Sequence, residues 1–160
     1  MPSKSVRIEG LDELISSFRG PDGIIEREGR SFLHDMGNFG VLQSQKEILN
    51  VGAVDTNELV QGMHHDIKSL ANGMQVTIRP SDEADKYAWF VEHGSKPHRA
   101  PIEALRGWAD RHGIPVGAVW HKIATEGTEP RYPFREMFKR FEREVDKEVP
   151  RFMDAILRRF

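Results

Sequence analysis

Apolar positions along the chain fall into short periodic runs that each predict an element. Val6-Arg-Ile-Glu-Gly10 alternates apolar and polar and predicts a short strand, while Leu11, Leu14, Ile15 and Phe18 keep helical spacing up to a stop at Gly20-Pro-Asp-Gly23. From Asp22, a candidate cap, the stripe Ile25, Phe32, Leu33, Met36 and Phe39 predicts a helix of about 27 residues ending near Asn50, about 40 Å at ~1.5 Å per residue. Gly29, Gly37 and Gly40 inside it each cost ~1 kcal/mol relative to alanine, so they imply close packing against another element, or a bend. Val54-Asp-Thr-Asn-Glu-Leu59 predicts a brief turn of helix capped by Asp55 or Thr56.

Residues 63–80 read as a β-hairpin. Asn72-Gly73 favours a two-residue type I′ turn, and that turn sets Ala71 opposite Met74, Ser69 opposite Val76 and Ile67 opposite Ile78 on one apolar face. Lys68 then meets Thr77, and Asp66 meets Arg79 as an opposite-charge pair, on the other face.

The segment Tyr87-Ala-Trp-Phe-Val-Glu-His-Gly94 links this hairpin to the rest of the chain. Ser81 or Asp82 can cap a short helix there and Gly94 can close it with a positive φ. Tyr87, Phe90 and Val91, at i, i+3 and i+4, are expected to be largely buried as a plug joining the two halves. An unpaired buried carboxylate costs several kcal/mol, so Glu92 is expected to accept backbone N–H groups or to pair with Arg99 or Arg131.

After the exit Ser95-Lys-Pro-His-Arg-Ala-Pro101, a helix follows over 102–112 with Pro101 at its first position and Gly113 at its end. Pro115 starts another with Val116, Val119, Trp120, Ile123 and Ala124 on one side, ended by Gly127, and 128–133 is an extended link. Phe134, Met137, Phe138, Phe141, Val145, Phe152, Met153, Ile156, Leu157 and Phe160 mark a last amphipathic helix, which Pro150 should bend or restart near 146–149. The predicted fold is α+β: a single domain over 1–160, with a small antiparallel sheet built on a β-hairpin. That sheet packs against a long N-terminal helix, short central helices and an amphipathic C-terminal helix.

Composition narrows the function classes. With 160 residues and 38% hydrophobic content the chain supports one core, and its net charge of −2 demands neither nucleic acid nor membrane. Residues 1–100 carry a net −4 and residues 131–160 a net +3, an asymmetry suited to a subunit that meets others through unlike faces. Absence of cysteine excludes disulfide and thiolate chemistry and points to synthesis in a cytoplasm. No apolar run reaches the ~18 residues of a membrane helix, and Met-Pro-Ser-Lys-Ser lacks a signal-peptide core.

Candidate chemistry is sparse. Seven histidines (34, 64, 65, 93, 98, 112 and 121) include no His-Glu-x-x-His pair, and His64 and His65 point to opposite faces of a strand. There is no nucleophile elbow, P-loop or dinucleotide glycine pattern, so no enzyme, cofactor or metal is expected. The alternative function is a small helix-turn-helix DNA-binding regulator using residues 102–126. Its reading helix would offer only His121, Lys122, Thr125 and Glu126, fewer donors than phosphate and base contacts require. A hydrolase built around Asp85, Glu92 and His93 is the third reading. The basic face of the last helix interleaves with acids, as a solvated face does rather than a membrane-surface one.

The order of these parts is informative. An Asp-Thr-x-x-Leu turn (Asp55, Thr56, Leu59), a hairpin, and then Tyr87, Ala88, Val91, Glu92 and Gly94 in a Tyr-Ala…Val-Glu-x-Gly signature resembles the minor tail component or tail-completion (neck) family of long-tailed bacteriophages. Pro101-Ile102, Trp108-Ala109, Arg111-His-Gly-Ile114, Lys122-Ile-Ala124, Gly127-Thr128 and Arg131-Tyr-Pro133-Phe134 extend the likeness over nearly the whole chain. Two departures are Ser95, where threonine is usual, and Asn57-Glu58, where a glycine precedes the leucine. The resemblance implies a virion structural protein of the neck or tail, assembled in the host cytoplasm. It implies a homo-oligomeric ring, a hexamer matching a six-fold tail, with a head-closure or connector protein on one side and the tail tube or tail terminator on the other. Membrane contact is not expected, and DNA contact should be weak and non-specific. Ser95, Lys96, Pro97, His98 and Arg99 in the loop and Arg140, Arg143 and Lys147 on the last helix are the expected assembly surface.

Overall fold

The computed structural model describes residues 24–53, 55–71 and 73–159; the expected strand over 6–10, the helix over 11–18, the Asp22 cap, Asn72 and Phe160 lie outside them. In chain order the elements are helix α1 (Ile24–Asn50), the single turn α2 (Glu58–Gln61), strands β1 (His64–Leu70) and β2 (Gly73–Arg79), then helices α3 (Asp82–His93), α4 (Ile102–Arg111), α5 (Val116–Thr125) and α6 (Pro133–Leu157). The fold is α+β, with one two-stranded antiparallel sheet among the described residues.

α1 is the floor on which the hairpin lies. Ile25, Phe32, Leu33 and Met36 are buried along it, as the stripe predicts, and its glycines explain how close the sheet comes. A Cβ on Gly37 would lie 2.5 Å from the His65 ring, one on Gly29 would lie 2.9 Å from the Met74 methyl, and one on Gly40 would collide with Ile78. The helix gives up the better propensity of alanine at these positions so that β1 and β2 can seat their side chains directly on its backbone.

The hairpin carries the expected faces in a different register. Ile67 pairs with Val76, His65 with Ile78, Ser69 with Met74, Lys68 with Gln75, Asp66 with Thr77, and Leu70 with Gly73. The expected pairs Ile67–Ile78, Ser69–Val76, Ala71–Met74, Lys68–Thr77 and Asp66–Arg79 are therefore each displaced by two residues, and Gly73 opens β2 instead of sitting inside the turn. A two-residue slip leaves every side chain on its original face, so the hydrophobic pattern is blind to it. Docking on the three glycines of α1 selects the register. Ile67, Val76 and Ile78 still share the core-facing side, with Val76 buried, and Arg79 reaches Asp66 diagonally at 2.8 Å.

α6 closes the other side of α1. Met137 and Phe141 join Phe32, Leu33, Met36 and Val76 in one cluster, with Val145, Val149 and Phe152 packed against it, and Phe152 stacks on Phe32 at a centroid distance of 4.6 Å. Helix α6 runs unbroken through Pro150 and does not restart there. Val145, Val149 and Phe152 hold both sides of the proline on the core, and Pro150 itself is exposed on the outer face. A second cluster (Ile48, Leu59, Met63, Ala84 and Ala88) joins the end of α1 to α2 and α3. Neither Asp55 nor Thr56 caps α2. Asn57 takes that place with φ of 64° and no side-chain cap, because Asp55 is drawn to Arg111.

Two substitutions should move stability in opposite directions. Gly40→Ala sets the ~1 kcal/mol propensity gain against a collision with Ile78 and should lose about 1–3 kcal/mol net. Gly117→Ala, in α5 with no atom within 4 Å of the added methyl, should gain up to about 1 kcal/mol. Urea unfolding of both variants checks the signs.

Candidate functional site

The segment 91–95 and the segment 128–135 are zipped together, and this joint holds the signature residues. Ser95 and Thr128 exchange both backbone hydrogen bonds at 3.0 Å, and Arg131 N–H donates to Val91 O at 3.0 Å. Gly94 (φ 67°) and Gly127 (φ 80°) sit where the two strands cross, and a Cβ on either would run into the facing backbone carbonyl, so only glycine fits. Between them Glu92, 9% exposed, points at the start of α6 and accepts from Phe134 N–H at 2.9 Å and Arg135 N–H at 3.2 Å. The N-cap residue of α6, Tyr132, offers no side-chain cap and has φ of 56°. Pro133 at the first helical position lacks an N–H, so Glu92 takes the next two free donors and places its charge at the positive end of the helix dipole. Of the partners expected for Glu92, backbone donors are the ones found. Arg131 instead donates to Val51 O (2.9 Å) and Gly52 O (2.6 Å) at the end of α1, which places a cation at that helix's negative end.

The expected plug needs correction. Ser81 caps α3 by accepting from Ala84 N–H, and Gly94 closes it, but the buried face is Ala84, Ala88 and Glu92. Small alanines let α3 approach the second core cluster, and the i+4 row that carries them ends on Glu92. Tyr87 and Val91 flank this face half-buried, and Phe90 is 51% exposed. The Tyr87 hydroxyl donates to Glu58 Oε2 at 3.4 Å. Burial, with the Glu58 charge, pushes its pKa up to about 12.

Phe90 forms one wall of a cleft of about 870 Å³, whose other wall is α4 with Trp108. Helices α4 and α5 form an arm that leaves the body at the Ser95–Thr128 bridge. Trp120 Nε1–H donates to Ala100 O at 2.9 Å; Val116, Val119, Trp120, Ile123 and Ala124 are the half-buried side of α5, as predicted. The arm's far end is tied down by Arg111, whose guanidinium donates through Nε and Nη2 to the two oxygens of Asp55. That bidentate pair holds the Asp55 carboxyl below its ordinary range. His121, Lys122, Thr125 and Glu126 are exposed on α5.

The expected assembly residues separate into free and committed groups. Lys96, Pro97, His98, Arg99 and Arg143 are exposed, and Ser95 is committed to its bridge with Thr128. Lys147 pairs with Glu144 and Glu148 on its own helix. Arg140 is not available as a free cation. Its Nε lies 2.7 Å from Oε1 of the buried Glu47, a close ion pair whose N–H is not aligned into a hydrogen bond. Trp108 stacks on His112 at 4.2 Å, Pro133 is fully buried and Phe134 half-buried.

One pair escaped the sequence reading. His34 Nδ1 and His65 Nε2 lie 3.1 Å apart, and burial, with His34 beside it, lowers the His65 pKa. No local signal marks two histidines 31 residues apart; only the hairpin register brings them together. Among the described residues no three His, Asp or Glu side chains are placed to hold a metal ion, and no helix is long and apolar enough to cross a membrane.

Glu92→Ala should cost roughly 1–3 kcal/mol in urea unfolding by freeing two helix-start donors, and Glu92→Gln less, since its amide oxygen can still accept one bond. The arm should also respond to pH. With the folded pKa of Asp55 lowered, its contribution is present above the unfolded carboxylate pKa and is lost as pH falls through the folded value. The protection of the α4 amides relative to their intrinsic exchange rates should therefore fall on acidification below about pH 4, and Asp55→Asn should show that lower protection already at neutral pH. Compared with protein-family models, with curated proteins and with solved structures, the chain finds no match.

Proposed function

We propose that this protein is a ring-forming tail-completion or neck subunit of a long-tailed bacteriophage, a structural component of the virion that joins head-closure proteins to the tail tube. The observation that carries this reading is the joint itself. The two motif segments by which the chain resembles that family, 87–94 and 131–134, are far apart in sequence and are hydrogen-bonded to each other through Glu92 and Arg131. These residue types are thus accounted for by architecture, with no reacting group needed.

The surface suits such a role. The first turn of α3 exposes Asp82, Glu83 and Asp85, whereas the loop after it exposes Lys96 and Arg99, so a copy has unlike faces of the kind a closed heterologous ring uses. Much of the C-terminal charge is neutralised within the chain by Glu136–Lys139, Glu144–Lys147, Glu148–Arg151, Glu47–Arg140 and Glu28–Arg159 pairs. A ring around a DNA passage gains from that, because a strongly cationic wall would hold the phosphates of the genome.

Native mass measurement of the purified protein, alone and mixed with tail-tube protein, tests the reading: a closed multimer in either sample is the expected result, six copies being the number the resemblance implies. A monomer under both conditions, together with a salt-dependent gel shift on duplex DNA, would replace it with the regulator reading. Arg143→Glu with Lys147→Glu should leave the subunit folded and block head–tail joining in a complementation assay. Arg140→Glu should instead destabilise the free subunit by roughly 1–3 kcal/mol, since it sets a like charge against the buried Glu47 carboxylate.

A further inference from the structure

The cleft between α3 and α4 has a counterpart elsewhere on the same chain. Its walls present Tyr87, Phe90 and Trp108, the last two of them 51% and 37% exposed. Of its charged groups, Arg111 pairs with Asp55 and Glu103 with Arg106, while Arg131 keeps its charge as it donates to the neutral carbonyls of Val51 and Gly52. Against that one cation the lining sets two further carboxylates, Glu129 and Glu58, the latter accepting from the Tyr87 hydroxyl. The groove is therefore aromatic along its walls and net negative across its lining.

On the side of α1 turned away from the core, Leu42, Lys46 and Leu49 follow one another at i, i+4 and i+7. The two leucines are 62% and 54% exposed, the highest values among the exposed large apolar residues of the described chain. A helix ridge with two apolar knobs and a central ammonium is the shape and charge that an aromatic groove with two carboxylates accepts. Because α1 is pinned by the hairpin and α6 on its opposite side, the ridge is held rigid before any partner arrives.

We infer that the α1 ridge of one copy seats in the α3–α4 groove of the next, making the heterologous contact of the ring. This rests on the ring reading above and names the surface it would use. Phe90 and Trp108 clasp Leu42 and Leu49, and Lys46 lies between Glu58 and Glu129. The Asp55–Arg111 tie anchors the end of α4 to the segment before α2, and both residues line the groove.

Cysteine cross-linking between two separately made variants tests this, since the chain has no cysteine of its own. Asn38→Cys places a thiol one turn before Leu42 on the ridge, and Ala104→Cys places one on the groove wall; both positions are exposed. Mixed and treated with a flexible bis-maleimide, the two preparations should give covalent dimers severalfold more abundantly than either alone. Equal cross-linking within the Asn38→Cys preparation alone would mean that ridge meets ridge, and would overturn the inference. Native mass on the same samples separates the two levels of failure. A multimer without mixed cross-links overturns this contact and leaves the ring reading standing, while a monomer with and without tail-tube protein removes both. As an independent arm, Leu42→Glu with Leu49→Glu should keep the circular dichroism of the free subunit and abolish the multimer; an intact multimer in that variant contradicts the inference.

Discussion

One buried carboxylate organises this molecule. Glu92 is removed from water, and the protein provides it with the two free backbone donors at the start of α6, 42 and 43 residues later in the chain. The exchange is mutual, because a helix start without a capping side chain and a buried carboxylate without a cation each carry a cost that the other removes. Everything near the joint follows from making that contact. Gly94 and Gly127 let the strands cross, Pro133 withdraws the donor that Glu92 cannot reach, and Arg131 is placed to cover the end of α1. The longest helices are thereby fixed to one another at their ends through α3, in addition to packing along their lengths.

The remaining rigidity comes from glycine used as a surface. Gly29, Gly37 and Gly40 make a channel along α1 for Met74, His65 and Ile78, which sets how the two-stranded sheet lies on the helix. A hairpin of this size is marginal by itself. Here its buried face is completed by α1 and α6, and its register is set by what those glycines accept. The arm of α4 and α5 is different in kind. Ala109 is its only buried residue among those described, and it is held by the Ser95–Thr128 bridge at one end and by the Asp55–Arg111 pair at the other. A part built that way depends on few contacts and is the natural place for a partner to add more.

Elements were legible in the sequence wherever one period dominated. The α1 stripe, the two faces of the hairpin, the apolar side of α5 and the α6 stripe from Phe134 to Ile156 are as the spacing predicts, because each is decided by burial of consecutive turns against one neighbour, whereas Leu157 at the end of α6 is exposed. The register of the hairpin was not legible, since a two-residue slip preserves the pattern and only the glycines of another helix distinguish the alternatives. Phe90 was misjudged for a related reason. Its hydrophobicity suggested burial, but α3 turns the face holding Ala84, Ala88 and Glu92 inward, and aromatic size counts for less than the need to bring a carboxylate to a helix start. For Glu92 the requirement of a partner could be read from the residue itself; the choice between backbone and cation, and which backbone it meets, could not. The pairing of Arg140 with Glu47 was equally hidden, and it changes which cations of α6 are free to meet a partner.

The account stands most directly on the amides of Phe134 and Arg135. Ordinarily the first-turn amides of a helix exchange with solvent readily, since they have no intrahelical acceptor. Residue-resolved hydrogen exchange on the intact protein should instead find these two protected to nearly the level of the α6 interior, with the protection lost in Glu92→Ala while the interior amides of α1 keep theirs. Rapid exchange at Phe134 and Arg135 in the unaltered protein would contradict the claim that Glu92 holds the two halves of the fold together.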